Sequence, residues 1–251
     1  AVSLVLTGGE ALAGIGKYLA ANLVFLNFLA PDLPGLFEGQ RFEEVNGPLW
    51  TLKVEVMFYI VLPVIGFVMS RMGRTSWILL VLFYAGGEAW RLLIPQLFDH
   101  PYAPEVARQL PGQMAFFASG MALWTVWDVA KARPWLFGLA GAVLLAVSFA
   151  HPLLEPTRAA GLAGLIAWAA CVPGPALDVA RFGDFSYGLY ITHFPIIQAM
   201  IMVGAFSALP FAAAFVLAGA LSFAASLLLW FFVEKPALRR DSHYRKAAAG
   251  S

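Results

Sequence analysis

Two ionisable side chains stand where an apolar helix would ordinarily carry none. Asn46-Gly47-Pro48-Leu49-Trp50-Thr51-Leu52-Lys53-Val54-Glu55-Val56-Met57-Phe58-Tyr59 runs from a turn into a hydrophobic stretch that continues to Met69. The pattern reads as a membrane-spanning helix with Lys53 and Glu55 near its start, where charges are costly and mark either pairing or function. The two residues are about 200° apart around a helix axis and so face different ways. Lys53 is placed to snorkel to the surface. Glu55 shares a face with Leu52, Phe58, Tyr59 and Leu62, and has two readings: a glutamate hydrogen-bonded to fix packing, or a carboxylate that orients a base or a hydroxyl. His193 is the second candidate, about eight residues into the apolar run that starts at Phe185. An imidazole there is either a satisfied packing residue or a group that exchanges a proton near neutral pH. Glu88 and Arg91 are spaced i, i+3, which permits a local ion pair, although an arginine could also meet an anionic substrate. Asp128 and Asp184 lie near helix ends where solvation is easy. No HxxxH, HExxH, GxSxG or phosphate-binding loop occurs, so a metal site has no support.

These groups need elements to hold them, and the composition names the kind. Hydrophobic residues make up 61% of the 251, and charged ones 12%; the mean hydropathy is +0.76. Soluble domains carry about 25% charged residues, so this chain is an integral membrane protein. Phe185 to Val233 contains no Lys, Arg, Asp or Glu. The net charge of +1 carries no signature of a nucleic-acid partner, and none is expected. The single cysteine, Cys171, rules out an internal disulfide and a multi-cysteine metal site. Hydropathy predicts a partial span within residues 1–30 and an outer loop over 31–48. Spans follow at about 49–70, 76–95, 111–130, 134–150, 158–174, 185–204 and 208–233. The expected fold is therefore all-α, a polytopic membrane protein of seven to eight transmembrane helices in one domain covering residues 1–251. Residues 49–240 form a seven-helix bundle and 241–251 a tail. Placing that tail in the cytoplasm puts ten basic residues inside, including Arg71, Arg74, Lys131, Arg133 and Arg181, and three outside, Arg41, Arg108 and Arg158. This obeys the positive-inside rule. It also makes Trp50 an interfacial aromatic at the outer face.

The Asn46 to Tyr59 stretch resembles the N-G-x-L-W-S/T-L-x-V-E-x-x-F-Y signature of the acyltransferase-3 family of membrane acyltransferases. Phe116 to Gly120 is similar to the family's F-x-x-G span. Ser186-Tyr187-x-Leu189-Tyr190-x-x-His193-x-Pro195 resembles its S-Y-x-L-Y-x-x-H-x-P helix, and Glu234-Lys235-Pro236 its closing E-[RK]-P. The resemblance covers residues 18 to 240. It implies transfer of an acyl group, usually acetyl, from acyl-CoA as co-substrate to a hydroxyl of a glycan or lipid-linked sugar, with no bound cofactor. The setting it implies is the bacterial inner membrane, with the C-terminus cytoplasmic and the oligomeric state open. Carried over residue by residue, Glu55 and His193 match the family's acidic and histidine positions. Asn46, Trp50, Tyr59, Ser186, Tyr190 and Glu234 are supporting positions, and Arg91 is added as a substrate contact. The family's presumed basic histidine, in its first helix, is expected to precede residue 1, so the chain corresponds to an N-terminally truncated enzyme. Two other readings stand beside this one: a transporter or flippase of a lipid-linked sugar, and an inactive remnant of such an enzyme.

Overall fold

The computed structural model describes residues 11–24, 26–172 and 185–238, together with Ser3, Thr7 and Gly174. Asp184, Arg181 and the tail cations Arg239, Arg240, Arg245 and Lys246 lie outside the described residues. The described chain is helical. Its β pairings are two isolated bridges, Asp32 with Glu44 and Leu33 with Leu36. The helices are α1 (Leu12–Leu23), α2 (Trp50–Met72), α3 (Ser76–Leu97), α4 (Ala103–Ala107), α5 (Leu110–Thr125), α6 (Trp127–Ala132), α7 (Pro134–Val147), α8 (Thr157–Cys171), α9 (Ser186–Met202), α10 (Ala205–Ala208), α11 (Phe211–Leu229) and α12 (Lys235–Ala237). Two helical runs, Gly47–Leu97 and Phe211–Ala237, are long and apolar enough to cross a membrane; α7 and α8 are shorter apolar helices. The span expected at 111–130 is interrupted at Val126. There α5 ends, and α6 starts at Trp127 with Asp128 in its first turn, a placement that suits the helix dipole; Asp128 pairs with Lys131 at 2.7 Å.

The chain divides into two compact units, Ala1–Lys53 with Ala176–Ser251, and Val54–Pro175. The contiguous unit is built from backbones that approach closely. A Cβ on Gly141 of α7 would lie 2.6 Å from the Leu165 amide nitrogen of α8, and one on Gly161 of α8 would lie 2.6 Å from that of Leu145 in α7. In the same way, a Cβ on Gly87 of α3 would sit 2.7 Å from the Ala115 nitrogen of α5. Meanwhile Ile60, Phe67 and Leu139 point outward, each more than half exposed. Small residues inside and large apolar ones outside is the packing of helices whose surroundings are lipid rather than water.

In the discontinuous unit, α9 packs on α11 through another small-residue seam. Ala214, Ala218, Ser222 and Ser226 are buried at four-residue intervals along α11, and a Cβ on Gly188 of α9 would lie 3.0 Å from the Ser226 Cα. The segment before α2 is folded although it holds no long helix. Phe37 is buried with a left-handed φ of 63° between Gly35 and Gly39, whose φ values are also positive. A short 3₁₀ turn, Gly47–Leu49, leads into α2. At its other end, α11 continues as one wide π turn, Trp230–Glu234, before Lys235 and Pro236. Such turns recur at functional sites.

Candidate functional site

The geometry of the site starts from a proline. Pro195 lies inside α9 and has no N–H, so the carbonyl of Ile191, four residues back, loses its helical donor. That carbonyl is not left bare, because the Asn46 side-chain amide Nδ2 donates to it at 2.8 Å. One residue before Ile191 on α9, the Tyr190 hydroxyl donates to the Pro48 carbonyl at 2.5 Å and touches the Thr51 hydroxyl. Thr51 Oγ1 is also 3.2 Å from the Pro48 carbonyl. Two turns after Ile191, the buried Gln198 amide donates to the Phe42 carbonyl, and Gln40 Nε2 donates to the Gln198 carbonyl at 3.3 Å. A side chain at Gly47 would press on the Phe194 ring, its Cβ 3.3 Å from Cζ. The two stretches that carry the resemblance are thus laced together, residues 40–51 along residues 190–198 of α9.

This lacing holds His193 in a defined pose. Its Nδ1 lies 3.1 Å from the Leu189 carbonyl on the same helix. A carbonyl only accepts, so in the neutral ring Nδ1 carries the hydrogen and Nε2 keeps its lone pair. The ring lines a cavity of about 530 Å³ between α9 and α11. Ser186, Leu189, Tyr190, His193 and Ile197 supply one wall, all on a single face of α9, and Ser222, Gly219 and Phe215 supply the opposite one. Hydroxyls and the imidazole gather towards Ser186, while Ile197, Phe206 and Phe215 close the other end with apolar surface. An imidazole with an open acceptor nitrogen, in a largely apolar cavity beside hydroxyl groups, is suited to taking a proton from an alcohol.

The remaining expected residues are not among those that line this cavity. Trp50 is half-buried and opens α2. Glu55 and Tyr59 fall in the contiguous unit, one turn apart on α2, and the Tyr59 hydroxyl donates to Glu55 Oε1 at 2.6 Å. The polar partner of Glu55 is therefore on its own helix. Arg91 forms the ion pair with Glu88 that their spacing permits, at 2.5 Å, and reaches Glu155 at 2.5 Å. Arg158 joins the same Glu155 oxygen at 3.0 Å. The Arg91 guanidinium holds the Glu155 carboxyl below its ordinary range, helped by Arg158. Among the described residues no group of three or more metal-ligating side chains occurs. Sequence reading passed over Thr51, Gln198, Glu155 and Arg158. The one signal for the lacing was Pro195 itself, since a proline in an apolar helix obliges some other group to serve the carbonyl four residues back.

A family model described as an acyltransferase domain, that of acyltransferase-3, matches residues 4–231. The chain is also similar to Nodulation protein 10 of Rhizobium leguminosarum bv. viciae, 26% identical over 230 residues, a match that covers 81% of this chain. The chain spans about 60% of the length of that curated relative. No solved structure matches it. With nearly all of its described residues inside the family match, and with the family's two long motifs bound to each other by hydrogen bonds, the chain belongs to the acyltransferase-3 family of membrane acyltransferases.

Proposed function

We propose that this chain supplies the larger part of a membrane O-acyltransferase that moves an acyl group, acetyl in the first instance, from acyl-CoA to a hydroxyl of a cell-surface glycan or lipid-linked sugar. The observation that carries the reading is the pose of His193, with Nδ1 committed to the Leu189 carbonyl and Nε2 open in the α9–α11 cavity. In the proposed step, Nε2 takes the proton of the acceptor hydroxyl as its oxygen attacks the thioester carbonyl. The carbon–sulfur bond then breaks, CoA leaves as the thiolate, and the imidazolium returns its proton to that sulfur. Tyr190 cannot serve as the donor to the thioester oxygen, because its hydroxyl is engaged with Pro48 and Thr51; it positions the helix instead. Ser186, at the cavity's polar end, is placed to contact substrate. Glu55, steadied by Tyr59, is assigned to orienting a base or an acceptor hydroxyl, while Asn46 and Trp50 shape the approach to α2. Arg91 is a substrate contact only to the extent that Glu88 and Glu155 release it. The setting is the bacterial inner membrane, crossed by seven to eight helices, with acyl-CoA arriving from the cytoplasmic side, where the C-terminus lies.

The test uses the full-length protein in native membranes with labelled acetyl-CoA. Both the acylated acceptor and free CoA thiol are measured for wild type, His193→Ala and His193→Gln. Loss of about a hundredfold or more in both variants is expected for removal of a general base. Full rates in both would assign the proton to the family's first-helix histidine instead. No acylated product from wild type would favour transport, which leaves acceptor mass unchanged.

A further inference from the structure

A second cavity, of about 550 Å³, lies in the contiguous unit among α3, α5, α7 and α8. Its deep walls are Leu80, Leu123, Phe137 and Leu144 together with two hydroxyl side chains, Tyr84 and Ser119. Neither hydroxyl has a donor to offer a ligand. Ser119 Oγ donates to the Ala115 carbonyl at 2.8 Å, and the Tyr84 hydroxyl donates to the Pro156 carbonyl. A buried water needs two to four polar partners, so these walls suit an apolar chain and not water or a polar ligand. The rim opens sideways, where Val81 and Leu136 are more than half exposed and Trp77 nearly so.

One end of this cavity is not apolar. Glu88 follows Tyr84 by one turn on the same face of α3, and Arg158 precedes the cavity-lining Ala160 by two residues on α8. The cluster of Glu88, Arg91, Glu155 and Arg158 therefore stands at the cavity's end, and it is incompletely satisfied. Glu88 Oε1, Arg91 Nε and Arg158 Nε are all buried without a hydrogen-bond partner, and the Glu88 side chain is only 6% exposed. Two unused N–H donors call for an anionic or ester oxygen, and one unused carboxylate oxygen calls for a donor such as an ammonium. The four side chains sum to zero charge, so a ligand that carries both signs matches them better than a purely anionic one.

We propose that this cavity binds one acyl chain of a zwitterionic phospholipid with a primary ammonium headgroup, its phosphate or ester oxygen on Arg91 and Arg158 and its ammonium on Glu88. The occupant comes from the bilayer and enters through the lateral opening beside Trp77. The proposal does not rest on the acyl-transfer step, and of the residues assigned to that step it uses Arg91 alone.

The experiment purifies the full protein from membranes that contain phosphatidylethanolamine and phosphatidylglycerol, and exchanges the detergent. Retained lipid is then counted by native mass spectrometry for wild type, Ala122→Phe, which puts a ring into the cavity, and Arg158→Gln, which removes a headgroup cation. Wild type should keep one phosphatidylethanolamine in preference to phosphatidylglycerol. Each variant should retain about tenfold less, the loss expected for one charge-assisted contact or a blocked chain site. Equal retention of the two lipids, or unchanged retention in both variants, would overturn the proposal. So would a polyprenyl-linked sugar held in place of phospholipid. In wild type, phosphatidylethanolamine with a photoreactive chain should label Leu80, Ala118 or Leu123. Labelling confined to outward residues such as Ile60 and Leu139 would overturn the proposal whether or not the variants fold.

Discussion

Asn46 and Pro195 make one hydrogen-bonding problem and its solution. Removing the amide alone should leave the half-buried Ile191 carbonyl unserved, at a cost of about 1 kcal/mol. Replacing Pro195 with alanine restores a backbone donor to that carbonyl. Asn46→Ala is therefore expected to lower the thermal midpoint of the protein in detergent in the wild-type background and to have a much smaller effect alongside Pro195→Ala. Additive losses in that double-mutant cycle would show that the two residues act separately. Tyr190→Phe is a gentler change at the same seam. It gives up the bonds to Pro48 and Thr51 while the ring keeps its place against His193, 6.3 Å between centroids. It is expected to slow acyl transfer through misplacement of His193 while barely changing the pH profile of the residual rate. A profile that shifted with the hydroxyl would give Tyr190 a proton-handling role.

Among the described residues, α3 meets α5, α7 meets α8 and α9 meets α11 where side chains are smallest, each at a specific glycine. Gly141 is the sharpest case. A branched side chain there has backbone of α8 on its far side, within 2.6 Å of its first carbon, and backbone cannot move aside as a flexible side chain can. Gly141→Leu should separate α7 from α8 and cost about 3 kcal/mol or more, read as loss of folded protein on size exclusion. Gly16, with nothing within 4 Å of its would-be Cβ, should accept alanine with no such loss. The connection between α7 and α8 adds a pH dependence. Glu155 has its carboxyl held below the ordinary range by Arg91, so its contribution to stability is present above the unfolded pKa, about 4.3, and is lost as pH falls through the lower folded value. Glu155→Gln should lower stability at neutral pH and flatten the decline in acid. An unchanged slope would mean that other carboxylates set it.

Topology is the prediction proper to the whole molecule. In a Cys171→Ser background, Asp99→Cys should react with an impermeant maleimide from the outer face and Lys131→Cys only after the cytoplasmic face is opened. The reverse pattern would invert the arrangement read from the basic residues. The all-α class and the membrane character were legible in composition, because lipid selects residue types along the whole length of every helix. Glu55, Arg91 and His193 stood out as candidates because ionisable groups in apolar runs are conspicuous one at a time. What lay beyond reach was pairing. Nothing local to Asn46 says that its partner is the Ile191 carbonyl, and nothing in Arg91 says that Glu155 shares it with Arg158. The break at Val126 was equally hidden, because hydropathy is continuous across it and only the Asp128–Lys131 pair marks the new helix. The folded segment before α2, with Phe37 buried, read as loop because its polar residues and glycines dominate the average.

The bond between Asn46 and Ile191 spans 145 residues, and the contiguous unit is synthesised entirely between its two ends. At about 5–20 residues per second, a ribosome needs roughly 7 to 30 s to pass from one partner to the other. During biogenesis the signature segment must therefore wait, unlatched, while α3 to α8 are delivered to the bilayer. Nascent chains arrested before Pro195 should carry a protease-sensitive signature segment that becomes resistant once α9 is complete. An insertase or chaperone that shelters it during that interval would determine the yield of the protein without touching the finished fold.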